Sequence, residues 1–275
     1  MLDYSATNKF KLIKKTILLV FILIGSKFLS AGGDFCGLRN SAFQEGEVLN
    51  YNVYYSVIGL YINAGTASFE VNQEKLNNKP VYHIIGKGSS NSNYDWIFKV
   101  RDKYESYIDT NTLQPLKFTR DVDEGGYKIN ENVTFNKDAN TAISAKGVVK
   151  IPACIQDVIS SIYYARNIDF SNLSPDEKIP LTMFLDNEVY NLYIKYIGKE
   201  EIKTRYGKFQ AIKFSPLLVK GTIFSGGEKM RVWVTDDANH IPIRIESPIS
   251  VGSVKVDMMG YNGLRYPLSS LIKKR

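Results

Sequence analysis

Hydrophobic and polar residues alternate with a period of two along most of the chain after residue 31. This alternation is typical of β-strands that bury one face and expose the other to water. The first clear example covers residues 47–56. Its apolar face carries Leu49, Tyr51, Val53 and Tyr55, and its polar face carries Asn50, Asn52 and Tyr54. The pattern predicts a protein built mainly from half-buried strands.

Turn-forming residues separate nearly all of these segments. Residues 77–80 form one predicted turn, because asparagine tolerates a left-handed backbone and proline cannot join a central ladder. A long succession of strands joined in this way favours one large antiparallel sheet, curled or closed as a barrel. The predicted strands are residues 47–56, 65–71, 81–88, 101–109, 116–121, 127–135, 142–150, 181–185, 189–197, 209–214, 230–235, 241–246 and 253–258.

One segment, residues 155–167, follows the helical period instead. Asp157 can cap its N-terminus, and Val158, Ile162 and Ala165 would then fall on one face. We predict one inserted α-helix of about three turns that packs across the sheet or plugs an open side. A second, short helical turn is predicted at residues 94–99.

The N-terminus has the order of a secretory signal, since lysines precede the apolar run 17–24 and Leu29-Ser30-Ala31 follows as a cleavage site. Lys27 interrupts the run, which is shorter than the roughly 20 residues of a membrane-spanning helix. Because Leu29 is larger than the usual alanine, an uncleaved anchor is the alternative. We predict a signal peptide at 1–31, a single β-rich domain at 32–265 and a basic C-terminal tail at 266–275, with Lys273-Lys274-Arg275 frayed. The protein would then lie in the periplasm or on the periplasmic face of the envelope.

The charge of the chain does not indicate a nucleic-acid partner. The formal net charge is +7, but the leader holds five of the lysines and one aspartate, so most of the excess lies there. The remaining acids and bases are interspersed, whereas phosphate binding needs a concentrated basic surface.

Cys36 and Cys154 are the two cysteines of the chain. In an oxidising compartment, paired thiols tend to form a disulfide. A bridge between them would contribute on the order of 2 to 4 kcal/mol by restricting the unfolded chain. The alternative is two separate buried thiols.

No arrangement of residues in the sequence identifies a catalytic centre or a cofactor. His83 and His240 lack the close ligand pairs of zinc sites, and no G-x-S-x-G elbow occurs. We therefore predict no metal site and no cofactor, and we favour a binding function over a catalytic one. Four charged residues could form a buried ion-pair network on neighbouring strands or a polar site in a cavity: Arg101, Asp102, Glu105 and Arg120.

Aromatic residues are abundant, with 18 tyrosines and 14 phenylalanines. A curled sheet could use them to line a cavity for an apolar ligand such as a lipid tail. The candidate lining residues are Tyr51, Tyr55, Phe69, Trp96 and Trp233. The alternative is a packed core.

Several stretches resemble the bacterial domain-of-unknown-function family 3108, particularly its members from Bacteroidetes. They include Phe43-Gln44-Glu45-Gly46-Glu47, Asn63-Ala64-Gly65, Val100-Arg101-Asp102, the run from Gln156 to Arg166, and Val232-Trp233-Val234-Thr235-Asp236-Asp237. The resemblance implies an exported, β-rich protein of unestablished biochemical role and transfers no catalytic residue.

Three functions are compatible with these features. The first is a non-enzymatic envelope protein that binds a hydrophobic or glycan-like ligand in its curved sheet. The second is an interaction module that docks a protein partner in the envelope, close to a membrane. The third, ranked last, is an uncharacterised hydrolase.

Overall fold

The computed structural model describes residues 37–57, 60–219, 226–249 and 252–275, all within one compact unit, Asp34–Arg275. The predicted signal peptide and Cys36 lie outside the described residues.

Fifteen strands in this part of the chain form one antiparallel sheet. The strands are β1 (Val48–Val57), β2 (Leu60–Leu76), β3 (Lys79–Ser90), β4 (Val100–Asp109), β5 (Pro115–Glu124), β6 (Tyr127–Asn136), β7 (Thr141–Ser144), β8 (Gly147–Lys150), β9 (Lys178–Leu185), β10 (Glu188–Lys203), β11 (Gly207–Pro216), β12 (Arg231–Thr235), β13 (Pro242–Pro248), β14 (Ser253–Asn262) and β15 (Leu271–Lys274).

The sheet runs in the order β8-β7-β6-β5-β4-β3-β2-β1-β14-β13-β12-β11-β10-β9, and β15 pairs with β11. Strands β8 and β9 stand at its two ends, so the sheet is curled but not closed. The predicted fold class, mainly β with a large antiparallel curled sheet and one helix, is confirmed.

Alternation along each strand and the chemistry of the turns explain this arrangement. In β5, Phe118, Arg120 and Val122 are buried while Asp121 between them is exposed. Asn77 and Asn78 both have positive φ, as a two-residue hairpin turn requires. The turn is therefore shorter than predicted, because Pro80 already belongs to β3.

One strand prediction and the prediction of a frayed tail were wrong. Residues 142–150 form two short strands, β7 and β8, with a turn at Ala145 and Lys146. The tail is not frayed, because Leu271–Lys274 pairs with β11 as β15. Gly207 permits this close approach, since a Cβ there would lie 2.5 Å from the Lys273 carbonyl oxygen.

The helix, α1 (Val158–Ala165), is shorter than predicted but begins at the expected cap. The Asp157 carboxylate accepts from the Ser160 N–H at 2.8 Å, and the Ser160 hydroxyl accepts from the Asp157 N–H at 2.8 Å. Before the cap, Gln156 forms a bridge with Met183 of β9, which holds that residue extended. The buried face of α1 carries Ile159, Ser160, Tyr163 and Tyr164.

The core lies between the sheet and α1. One cluster joins Ile159 and Tyr163 of the helix to residues of β2 to β6, including Val71, Ile84 and Phe118. A second joins β1 and β14 to β11, β12 and β15, and a third covers β10 to β12 with Phe170. We call the side of β1 to β5 that faces α1 the inner face and the opposite side the outer face.

Within the described ranges, no helix combines the length and the apolar character that crossing a bilayer requires.

Candidate functional site

An open groove of about 680 Å³ lies across β14 and β1 to β5. Most of its lining side chains are polar and alternate away from α1, so the groove lies on the outer face. They are Asn50, Asn52, Thr66, Ser68, Lys87, Ser89, Arg101, Lys103 and Asp121, with Met259 at the side of β14. We call this feature the outer-face groove.

Strand register places these side chains in two rows. The first row crosses Asn50, Ser68, Lys87, Lys103 and Asp121 in directly paired positions. The second row crosses Asn52, Thr66, Ser89 and Arg101. The pairing of β1 with β14 shifts between Asn50 and Tyr51, which leaves Met259 as a bulge residue beside the groove. A bulge bends and twists a strand, which suits a concave surface.

Lys87 and Lys103 stand directly opposite each other on β3 and β4. Like charges in such positions repel. Lys103 contacts Glu105 at 2.9 Å, whereas the Lys87 ammonium makes no ion pair or hydrogen bond in the described part of the chain. The floor of the groove therefore holds an exposed cation that the protein itself does not neutralise.

Neighbouring side chains hold the Arg101 guanidinium in place. Arg101 donates to Asp95 at 2.6 Å and to the Ser90 hydroxyl at 3.0 Å. The Ser90 hydroxyl also donates to Asp95, and this bond, followed by those from Arg101, holds the pKa of the Asp95 carboxyl below its usual value. The guanidinium is thereby kept beside the groove rather than free in solvent.

On the outer face of β3, four residues before Lys87, His83 lies between two carboxylates. Its Nδ1 is 2.8 Å from Glu74 and its Nε2 is 3.1 Å from Glu105, and its ring stacks on Tyr107. Burial favours a raised pKa for Glu105, but hydrogen bonds from Lys103, His83 and Thr119 outweigh it and lower that pKa. Glu105 therefore stays ionised beside Lys103.

The four charged residues predicted to form an ion-pair network or a polar site in a cavity are divided between the two faces of the sheet. Arg101 and Glu105 project to the outer face, whereas Asp102 alternates to the inner face of the same strand. Arg120, also on the inner face, contacts Glu131 at 2.7 Å and also Asp186. Sequence proximity could not resolve this, because neighbouring residues of a strand point to opposite sides.

The predicted aromatic lining residues are separated as well. Tyr51 and Trp233 are buried in one core cluster, and the Tyr51 ring meets the partly buried Phe69 ring edge-on at 6.0 Å. Trp233 donates its indole N–H to Glu200 at 2.6 Å. Tyr55 is half-buried on β1. Trp96 is 83% exposed in the connection between β3 and β4, so it does not line the interior of the sheet. Three of the five thus take part in core packing.

The interior contains a buried ion pair. Arg166, at the end of α1, donates to both carboxylate oxygens of Glu47 at 2.5 and 2.8 Å, and both side chains are almost fully buried. The guanidinium also lies over the rings of Phe43 and Tyr163. This pair fixes the helix to the strand entry.

Asp157 is the second buried carboxylate near α1. It accepts from the Ser106 hydroxyl of β4 at 2.6 Å. Burial raises its pKa to about 6, although the bonds from Ser106 and Ser160 act in the opposite direction. Its capping role accounts for its contacts. Across the described ranges, His, Cys, Asp and Glu side chains form no group of three or more suited to a metal ion.

The lysines of the groove were missed in the sequence, although a signal was present. Alternation had already placed Asn50 and Asn52 on a polar face. The same rule puts Lys87 and Lys103 outward, but only the register of β3 against β4 brings them together.

Comparisons with known proteins agree with this architecture. A solved structure, a β-barrel-like protein of the domain of unknown function DUF1849 from Brucella abortus, matches with a TM-score of 0.55 at 9% identity. The match covers 80% of this chain and 99% of that chain, and it supports the fold alone.

Two further structures match at lower scores. A candidate lipoprotein from Parabacteroides distasonis has 14% identity and a TM-score of 0.35 over 82% of this chain and all of that chain, 100%. A candidate exported protein with a YmcC-like fold from Bacteroides fragilis has 12% identity and a TM-score of 0.31 over 80% of this chain and 97% of that chain. No curated protein matches this chain.

The model of one protein family, described as "Protein of unknown function (DUF3108)", matches residues 50–259. This range holds most of the sheet, α1 and the outer-face groove. The chain therefore belongs to the DUF3108 family.

Proposed function

We propose that this protein is an exported, non-enzymatic protein of the cell envelope that binds a glycan-like ligand with an anionic group in the outer-face groove. The observation that carries the proposal is the pair Lys87 and Lys103, two cations in directly opposite positions, of which Lys87 has no partner in the described residues. An anion between them would relieve the repulsion and form charge-assisted hydrogen bonds.

The remaining lining residues suit the neutral part of such a ligand. Asn50, Asn52, Thr66, Ser68 and Ser89 offer amide and hydroxyl groups in two rows along the groove. Side chains of this kind both donate and accept hydrogen bonds, as sugar hydroxyls require. The groove is open, so a chain-like ligand can lie along it. These features favour the glycan-like ligand over the hydrophobic one.

The export of the protein is supported by its leader sequence, with lysines before an apolar run and a small-residue cleavage site. A location in the periplasm, or on the periplasmic face of the envelope, would bring the groove among envelope glycans.

Calorimetric titration with a phosphorylated glucosamine disaccharide, compared with the same disaccharide without phosphate, tests the proposal. We expect the phosphorylated probe to bind more tightly and Lys87→Gln to weaken its binding by about tenfold. Lys146→Gln, in the exposed turn between β7 and β8, is the control and should leave affinity unchanged. Equal affinity of both probes, or an equal effect of both variants, would contradict the proposal.

One observation favours the alternative function, an interaction module for an envelope protein. Strand β8 ends the sheet, and Val148 on it is 66% exposed. An end strand of this kind can pair with a strand of a partner. Cross-linking in the native envelope through a photoreactive residue at position 148 would identify such a partner, and the absence of a reproducible adduct would remove this alternative.

A further inference from the structure

Large apolar side chains are exposed at one end of the sheet. They come from the start of β2, from the connection between β3 and β4, and from the start of β6. We call this set the apolar rim: Leu60, Tyr61, Ile62, Trp96, Ile97, Phe98 and Tyr127. Trp96 is 83% exposed, Leu60 72% and Ile97 63%, so these three side chains are mostly exposed to solvent.

The three segments belong to one continuous surface. Strands β2 to β6 are consecutive and antiparallel, so the start of β2, the end of β3, the start of β4 and the end of β5 meet at the same end. The Asn91 N–H donates to the Ala64 carbonyl at 2.7 Å, and the Gly125 N–H donates to the Lys99 carbonyl at 2.8 Å. The Phe98 ring covers Gly125, where an added Cβ would lie 2.5 Å from it.

The opposite end of the same strands has a different character. The connections there are formed by Asn77 and Asn78, by Thr110, Asn111 and Thr112, and by residues 137–140, Lys-Asp-Ala-Asn. These are the polar residues expected of solvated turns. Because the same strands carry both ends, the exposed apolar residues mark one end of strands β2 to β6 and are not a general property of the connections between these strands.

We infer that the apolar rim docks on the surface of a lipid bilayer. Aromatic and aliphatic side chains together at loop tips match the interfacial zone, where tryptophan and tyrosine place an apolar ring near the headgroups. Trp96 is prepared for this environment, because its indole N–H already donates to the Asn93 carbonyl at 3.1 Å. The ring can leave water without an unpaired donor.

Basic side chains flank the rim. Lys99 is exposed and forms no ion pair in the described part of the chain, and Lys128 is 3.9 Å from its nearest carboxylate, that of Asp123. The Lys255 ammonium lies 5.1 Å from the centre of the Tyr61 ring, although it also forms an ion pair with Glu246 at 3.0 Å. Asp95, the acid in the β3–β4 connection, is neutralised by Arg101. An unpaired lysine such as Lys99, with the exposed Lys128 beside it, complements anionic headgroups at an apolar surface.

The shape of the rim favours lipid over a folded partner. Three separate tips project from rigid strands, and lipid accommodates projecting side chains without a preformed pocket. A protein partner would need a matching pocket for each tip. This inference does not depend on the ligand of the outer-face groove, since none of the rim residues lines that groove.

Fluorescence of Trp96 tests the inference directly. Trp233, the second tryptophan, is 7% exposed, so Trp233→Phe leaves Trp96 as the sole reporter. We expect vesicles of phosphatidylethanolamine and phosphatidylglycerol to shift its emission to shorter wavelength and to protect it from acrylamide. Brominated lipid in the same vesicles should quench it. Unchanged emission and acrylamide quenching with vesicles would overturn the inference.

Vesicle co-sedimentation of variants locates the contact. Trp96→Ser combined with Ile97→Ser should weaken vesicle binding by about tenfold or more, while Val148→Ser, an equally exposed apolar site on β8, should not. Circular dichroism checks that each variant is folded. Lys87→Gln should leave vesicle binding intact, which separates this result from that of the groove. If the rim variant binds vesicles like the unmodified protein, or if Trp96 instead drives concentration-dependent dimerisation, lipid docking is wrong.

Discussion

Arg166 forms a bidentate ion pair with Glu47, 119 residues earlier in the chain, in the interior between α1 and the start of β1. The guanidinium also donates to the carbonyls of Asn239 and Ala42 at 3.1 and 3.4 Å. One side chain therefore connects the helix, the strand entry and the β12–β13 connection. Both charged groups are buried, so each depends on the opposite charge of the other to offset its lost hydration.

We expect Glu47→Gln to destabilise the fold by about 3 to 5 kcal/mol, because it leaves the guanidinium buried without a counter-charge. Arg166→Met should have a similar effect through the unpaired carboxylate. The double variant should lose less than the sum of the two. Urea unfolding of the four proteins measures this cycle, and additive losses would show that the two charges act independently.

The fold could be predicted from local patterns because most of its determinants are local. The alternation at Leu49 and Tyr51 marks β1, and Asp157 marks the start of α1, since each signal depends on residues within one turn or strand. The helix face was harder to predict. Ile159 and Tyr163 are buried, whereas the predicted stripe through Val158 and Ile162 is only half-buried.

The candidate sites depend on relations that no local pattern contains. Lys87 meets Lys103 only through strand register, and Glu47 finds Arg166 only in the folded chain. Trp96, a candidate lining residue in the sequence, is exposed in the apolar rim, although large aromatic residues are usually buried. Strand β15 was not predicted, because it is short, contains two lysines and packs only Leu271 against the core.

Gly86 and Gly88 on β3 should respond differently to alanine. A Cβ on Gly86 would lie 3.1 Å from both the Ile159 side chain of α1 and the Phe69 ring, whereas one on Gly88 would have its nearest neighbour, the Asp102 Cβ, at 3.9 Å. We expect Gly86→Ala to destabilise by about 1 kcal/mol through overpacking. Gly88→Ala should be neutral or slightly stabilising, since it restricts the unfolded chain. Thermal unfolding compares the two, and an equal effect would argue against close packing of α1 on β3.

Cys36 and Cys154 are predicted to form a disulfide in the exported protein. Cys154 lies within the described residues and Cys36 outside them, so the bridge remains a prediction from the sequence. Alkylation of the unfolded, unreduced protein should leave its mass unchanged, and alkylation after reduction should add two labels. Two labels without reduction would exclude the bridge.

Asp102 should make the stability of the protein depend on pH. Burial of its carboxylate, and next the nearby Glu124, raise its pKa to about 6, although the Asp123 N–H donates to it. The folded state holds this proton more tightly than the unfolded state. Protonation of Asp102 therefore increases the free energy of unfolding below about pH 4, and this contribution is lost as the pH rises to about 6.

Asp102→Asn should therefore raise the free energy of unfolding at pH 7.5 by about 1 kcal/mol, a value reduced by solvent screening at a half-exposed site. Near pH 4, where the carboxyl is protonated in the folded protein, the gain should nearly vanish. Asparagine can keep accepting from the Asp123 N–H at the same position. Asp138→Asn, in the exposed β6–β7 turn, is the control. Urea unfolding across this pH range measures both variants, and a gain of equal size at all pH values would mean that charge burial at Asp102 is not its cause.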